Sequence, residues 1–174
     1  GGTICAILII AIFFVMSLIR SYPFDSFQGI ANATGDDWGT YANNALEIKH
    51  NGILMSSLKA SYCLPSGFLY NYFIALCLAL FGEKSLPIYI VQHLMLGFSV
   101  ALVYWAFRGK MSGPVGLAFL WTLFFFAYKD VYKNYSSLLL SENLALFTMS
   151  LFFYCFVKGF EKNNFALQLI AAVA

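Results

Sequence analysis

Long apolar runs alternate with short charged breaks through most of this chain. The first run, Thr3 to Ile19 (TICAILIIAIFFVMSLI), is closed by Arg20. Later runs cover 86–107, closed by Arg108 and Lys110; 112–128, closed by Lys129, Asp130 and Lys133; and 138–157, closed by Lys158, Glu161 and Lys162. Crossing the hydrocarbon core of a bilayer takes about 20 apolar residues. These four runs are therefore expected to be transmembrane helices. Residues 165–174 (FALQLIAAVA) are apolar, end without a flanking charge, and read as the start of a truncated further span. The expected fold class is all-α: a polytopic transmembrane helical bundle, and a fragment of a longer protein.

The segment from 20 to 85 breaks the pattern. Between Ser21 and Leu64 it holds Asp25, Asp36, Asp37 and Glu47, together with Gly29, Gly35, Gly39 and Gly52. That is too long for an idle connector. Within it Trp38, Tyr41, Ala45 and Ile48 recur at spacings of three, four and three, which makes one apolar helical face. Asp36 or Asp37 stands where an acid caps the first N–H groups and suits the helix dipole, and Gly52 is a natural stop. Such a helix beside a membrane lies in the interface. Pro65 to Phe81 (PSGFLYNYFIALCLALF) is apolar but barely long enough to span, and its first half carries Ser66, Asn71 and two tyrosines.

Charge arbitrates the topology. If 65–81 spans, Arg108, Lys110, Lys158 and Lys162 share a side with the acidic loop; if it lies along the interface, they fall on the opposite side and Lys129 and Lys133 join the acids. Basic residues in short loops are cytoplasmic. The second arrangement is preferred, with 20–85 an extracytoplasmic loop carrying interfacial amphipathic helices and the whole a multi-pass protein of the plasma (inner) membrane.

Composition agrees. Hydrophobic residues make up 61% of the 174 and charged residues 10%, against about 25% charged in soluble domains. The net charge of +2 is dispersed, and no basic stripe suggests nucleic acid. Cys5, Cys77 and Cys155 lie in apolar runs and Cys63 in the loop, with no metal-ligand spacing. The first run is longer than a signal-peptide core and lacks a cleavage site.

The order of these features resembles the N-terminal module of GT-C glycosyltransferases, in the branch of protein O-mannosyltransferases and the lipid A aminoarabinose transferase. The resemblance rests on Asp36-Asp37-(x3)-Tyr41-Ala42, Gly52, Pro65-(x4)-Tyr70, Phe81-Gly82, Arg108 and Leu140-Ser141-Glu142. It implies a glycosyltransferase of inverting type that moves a sugar from a polyprenyl-phosphate donor, at the outer membrane face of the cell envelope, to a protein, lipid or glycan acceptor. It assigns Asp37, with Asp36 as second choice, to the catalytic acid. Glu142 becomes the second acidic site residue, Lys59 the donor-phosphate contact, and Tyr41 and Tyr70 supporting residues. A divalent metal, Mg or Mn, would be held by Asp37 and Glu142. The fragment alone is expected to be inactive.

The chemistry suits those residue types. A hydroxyl or amide acceptor is a poor nucleophile and gains from a carboxylate base. The leaving phosphate gains from a cation. Against this, the acid pair is also a plain helix start, and Glu142 is also a solvated acid at a helix head, although ionisable groups at membrane depth are functional candidates. The competing function is a fragment of a multi-span transporter or flippase with no covalent chemistry. Transporters carry their broken helices inside the spans, whereas here the acids gather in a loop.

Overall fold

A computed structural model describes residues 2–19, 26–32, 37–52, 68–132 and 141–173. Among the described residues every regular element is helical. Three helices are long and apolar enough to cross a membrane: α1 (Gly2–Ile19), α5 (Ser85–Phe107, with a 3-10 turn to Lys110) and α7 (Glu142–Glu161). Between the last two, α6 (Gly113–Phe126) starts on Pro114, whose fixed φ suits the first helical turn. Beyond Phe126 the chain winds more loosely, as a π-helical stretch over Ala127–Tyr132. Where the sequence pattern predicts one uniform run over 112–128, the helix thus changes its winding at Ala127.

The last long helix also differs from its expected bounds. It begins at Glu142 rather than 138, residues 138–140 lying outside the described residues, and it continues past 157. Its final turn holds Lys158 and Glu161 three residues apart, with Nζ–Oε2 at 2.6 Å, a spacing that supports helix continuation. Asn163 then turns the chain at φ 48°. Asn164 accepts the Leu167 N–H through Oδ1 at 3.2 Å and so starts α8 (Phe165–Val173).

Helix α5 sits at the centre. Its Leu96, Val100, Ala101 and Tyr104 pack with Ala6, Ile9 and Phe13 of α1 and Leu120 of α6. The approach of α1 is close because Gly97 faces it: a Cβ there would stand 3.0 Å from the Ile10 Cα. Small residues at a helix contact allow this where both sides of the helix are apolar. Gly159 does the same for α7 against α8, its notional Cβ lying 3.0 Å from the Gln168 nitrogen.

The ends of the bundle are distinct. At one end Arg108 donates to the Thr3 Oγ1, and Lys110 and Lys158 both reach Glu161, at 3.2 and 2.6 Å. Helix α1 therefore runs away from this end, while α5 and α7 run towards it.

At the other end lies a headpiece of three helices: α2 (Phe27–Ala31), α3 (Asp37–Asn51) and α4 (Phe68–Phe81). The short α2 starts on Ser26, whose side chain accepts the Gly29 N–H. Asn43 of α3 donates to the Ala31 carbonyl at 2.7 Å and ties α3 to α2. In α3 the face read from the sequence is the buried one: Tyr41, Ala45 and Ile48 are buried, joined by Ala42, with Trp38 packed at the edge. Gly52 ends the helix at φ 87°, where only glycine sits without strain.

Helices α3 and α4 lie side by side and parallel. Tyr41 meets Tyr70 near their starts, and Lys49 and His50 in the last turn of α3 meet Glu83 just past the end of α4. At 1.5 Å per residue the 14 residues of α4 reach about 21 Å, short of the roughly 30 Å hydrocarbon core.

Candidate active site

The first turns of α3 and α4, the first turns of α5 and the head of α7 converge below the headpiece. Tyr70 is the hub, 1% exposed. The Tyr41 and Tyr70 rings meet edge to face, 5.1 Å apart at 86°, the arrangement aromatic quadrupoles favour. Phe73 stacks on the same ring at 5.8 Å. From α5, Gln92 donates to the Tyr70 hydroxyl at 3.0 Å, and Ile88 and Tyr89 complete the apolar wall. The neighbouring His93 is fully buried, its Nδ1 2.6 Å from the Tyr89 carbonyl oxygen. It is packed and hydrogen-bonded within α5.

From α7, Leu144 packs against this cluster, which brings the helix head and Glu142 to it. Glu142 is exposed. Its carboxylate is near enough to act on Tyr70. Burial pushes the Tyr70 hydroxyl well above its ordinary value, and Tyr89, Glu142 and Tyr41 add to that in the same direction. Tyr70 thus keeps its proton throughout the physiological range. Beside Glu142, Asn143 is fully buried, and among the described residues neither its side-chain nitrogen nor its oxygen has a hydrogen-bond partner. A buried amide in that state costs free energy.

The candidates read from the sequence therefore separate into three groups. Tyr41, Tyr70 and Glu142 come together. Arg108 stands at the far end of α5, beside Thr3, and takes no part in this cluster. Asp36 and Lys59 lie outside the described residues; Asp37 opens α3 one turn before Tyr41, and its side chain is outside them too. Among the described residues no three of His, Cys, Asp and Glu gather in a metal-binding group. Gln92, Tyr89 and Asn143 were not singled out by the sequence pattern. The available signal was polarity within apolar runs: Gln92-His93 in α5 and Asn143 beside Glu142.

Comparison with known proteins adds one finding. Residues 65–174, more than half of the chain, match the family model described as dolichyl-phosphate-mannose-protein mannosyltransferase. The matched stretch contains Tyr70, Arg108 and Glu142, and begins after Asp36, Asp37, Tyr41 and Lys59. Searches of curated proteins and of solved structures gave no match.

Proposed function

The chain belongs to the dolichyl-phosphate-mannose-protein mannosyltransferase family, a family of membrane glycosyltransferases, and from that premise we propose that it transfers a sugar from a polyprenyl phosphate at the headpiece end of the bundle. The observation that carries the site is the Tyr41–Tyr70 contact. It joins α3, which precedes the family match and opens on Asp37, to α4 inside the match, beside the head of α7.

In this reading the headpiece lies on the outer membrane face. Four cations, Arg108, Lys110, Lys158 and Lys162, stand at the opposite end, which makes that end cytoplasmic by the bias of short loops. The isoprenoid tail stays in the bilayer, and the sugar phosphate rises to the interface between α4 and the head of α7.

The transfer is a single displacement. Asp37 acts as general base and takes the proton from the acceptor hydroxyl or amide as that atom attacks the anomeric carbon. The bond from the anomeric carbon to the phosphate oxygen breaks, and its electron pair leaves with the polyprenyl phosphate. One displacement inverts the anomeric centre. Glu142, exposed at the head of α7, orients the acceptor or a cation bound to the donor phosphate. Tyr70, held neutral, fixes the first turn of α3 against α4 and α5. Mg or Mn, if recruited by Asp37 and Glu142, would neutralise the leaving phosphate.

The test is the rate of transfer from a polyprenyl-phosphate-linked sugar in membranes at matched expression. Asp37→Asn keeps the size and capping ability of the side chain and removes its charge. It should lower turnover by the roughly 10²- to 10⁴-fold typical of a lost general base, and Asp36→Asn by much less. Near-normal turnover in Asp37→Asn leaves the residue a helix cap and removes the assignment.

A further inference from the structure

The end of the bundle away from the tyrosines holds a pocket that sugar transfer does not use. A cavity of about 380 Å³ opens there, lined by Thr3 of α1, Trp105 of α5, Arg108, Tyr154 and Lys158 of α7, and Lys162. Three of the six are cations, and among the described residues no carboxylate lines it. Glu161, the nearby acid, is shared: one oxygen takes Lys158 at 2.6 Å and the other Lys110 at 3.2 Å. Among the described residues Arg108 and Lys162 have no carboxylate partner. Arg108 is held by its bond to Thr3 instead, which fixes a guanidinium at the pocket wall.

The three cations set the polarity of the lining, beside the Thr3 and Tyr154 hydroxyls, which can donate or accept. Among the described residues the Trp105 Nε1 has no acceptor, and an indole N–H can only donate, but the atom is buried and is not presented to the cavity. Arg and Lys also only donate. A wall with three donor-only cations and, among the described residues, no carboxylate fits a ligand that accepts and carries negative charge. The guanidinium fork matches the oxygens of a phosphate. The cavity is many times the roughly 30 Å³ share of one water, enough for a phosphate with its ester substituents. Beside it on α1 the surface is apolar and uncovered: Ile4, next to Thr3, and Ile7, one turn on, are 64 and 55% exposed. A ligand seated here would have a charged head in the pocket and hydrocarbon alongside.

We propose that this pocket, between α1, α5 and α7, binds the phosphate headgroup of an anionic phospholipid. Basic pockets between membrane helices hold such headgroups by charge and by donor geometry together. The lipid bridges α1 to α7, whose polar ends are otherwise linked through the turn after α5, Arg108 to Thr3 and Lys110 to Glu161.

The experiment is a thermal unfolding titration of the full chain in neutral detergent with three probes: dioleoylphosphatidylglycerol, dioleoylphosphatidylcholine and inorganic phosphate. Phosphatidylglycerol should raise the Tm saturably, and phosphatidylcholine should not. The double variant Arg108→Gln/Lys162→Gln should weaken half-saturation by about tenfold or more. Lys84→Gln/Lys129→Gln, which removes the same charge at the other end, should titrate like the parent. Lys162 is exposed, so Lys162→Glu serves as a second variant if the double variant does not fold; it should also lose the response. An equal response to phosphatidylcholine, or an unchanged titration in the Arg108 and Lys162 variants, overturns the proposal. An equal shift with inorganic phosphate overturns the lipid assignment in favour of a soluble phosphate ligand.

Discussion

Headpiece and bundle bury their residues by opposite rules. In α3 the buried face is the apolar one, Tyr41, Ala42, Ala45 and Ile48, as in any helix with water on its other side. In α1 large apolar side chains lie on both faces: Ile4 is 64%, Ile7 55% and Leu8 55% exposed, while Ile9 is 1% and Phe13 0%. With lipid outside, apolarity drives no helix inwards, and close backbone approach decides the contact face. Gly97 against Ile10 is the clearest instance. The headpiece is held instead by aromatic area with polar ties, of which Gln92 to Tyr70 and Asn43 to Ala31 are two. One protein thus carries two packing chemistries, divided near the first turns of α5.

That division can be broken by substitution. Tyr70→Ala removes the buried hub of the headpiece and should have the largest effect on stability, about 3–5 kcal/mol by analogy with buried Phe→Ala changes. Amide exchange should accelerate through α3 and α4 while α1 and the second half of α5 keep their protection. Equal loss in all of them would mean that headpiece and bundle unfold as one unit. Gly97→Val attacks the other side. The added carbon meets the Ile10 backbone, and overpacking should cost about 1–3 kcal/mol. The readout is a lower Tm, with α1 pushed away from α5 and α3 exchange unchanged. A stable Gly97→Val would place the grip of the bundle elsewhere.

The smallest effect sits at the far edge of the headpiece. Hydrogen bonding to Lys49 at 2.7 Å, with further help from the Lys49 and His50 charges, holds the Glu83 carboxyl below its usual range. A carboxyl with a depressed folded value adds stability above its unfolded value, and that stability fades as pH falls through the folded one. The pair is exposed, so the gain is slight. Tm series at falling pH should show a marginally shallower acid limb in Glu83→Gln than in the parent. Superimposable curves would remove the pair from the forces that align α3 with α4.

How much was legible in the sequence follows the same division. In the headpiece the three-four-three spacing marked the buried face of α3, and Gly52 marked its end, because water supplies contrast. In the bundle, run length announced the helices, but the faces by which they touch were hidden, since an exposed Ile7 and a buried Ile9 look alike in a row of apolar letters. The same blindness affected the site. Gln92 meets Tyr70 across two helices, a tertiary pairing with no periodic trace. Asn143 is buried one position from Glu142, without a partner among the described residues. Tyr41, Tyr70 and Glu142, named through a family resemblance, did converge. The five-residue α2 escaped because one Ser cap and a single turn are too short for periodicity to register.

The glycine contact also sets a timetable. A membrane helix leaves the ribosome long before its neighbours, and α1 finds its principal partner only when Gly97 emerges. At about 5–20 residues per second, synthesis from Ile10 to Gly97 takes on the order of 5–20 s. Throughout that interval Ala6, Ile9 and Phe13 face lipid. The headpiece is translated within the same interval, yet its wall needs Ile88 and Tyr89 from α5. The arrival of α5 therefore serves both halves within a dozen residues of synthesis, from Ile88 to Gly97, and Glu142 comes to Tyr41 and Tyr70 later, with α7.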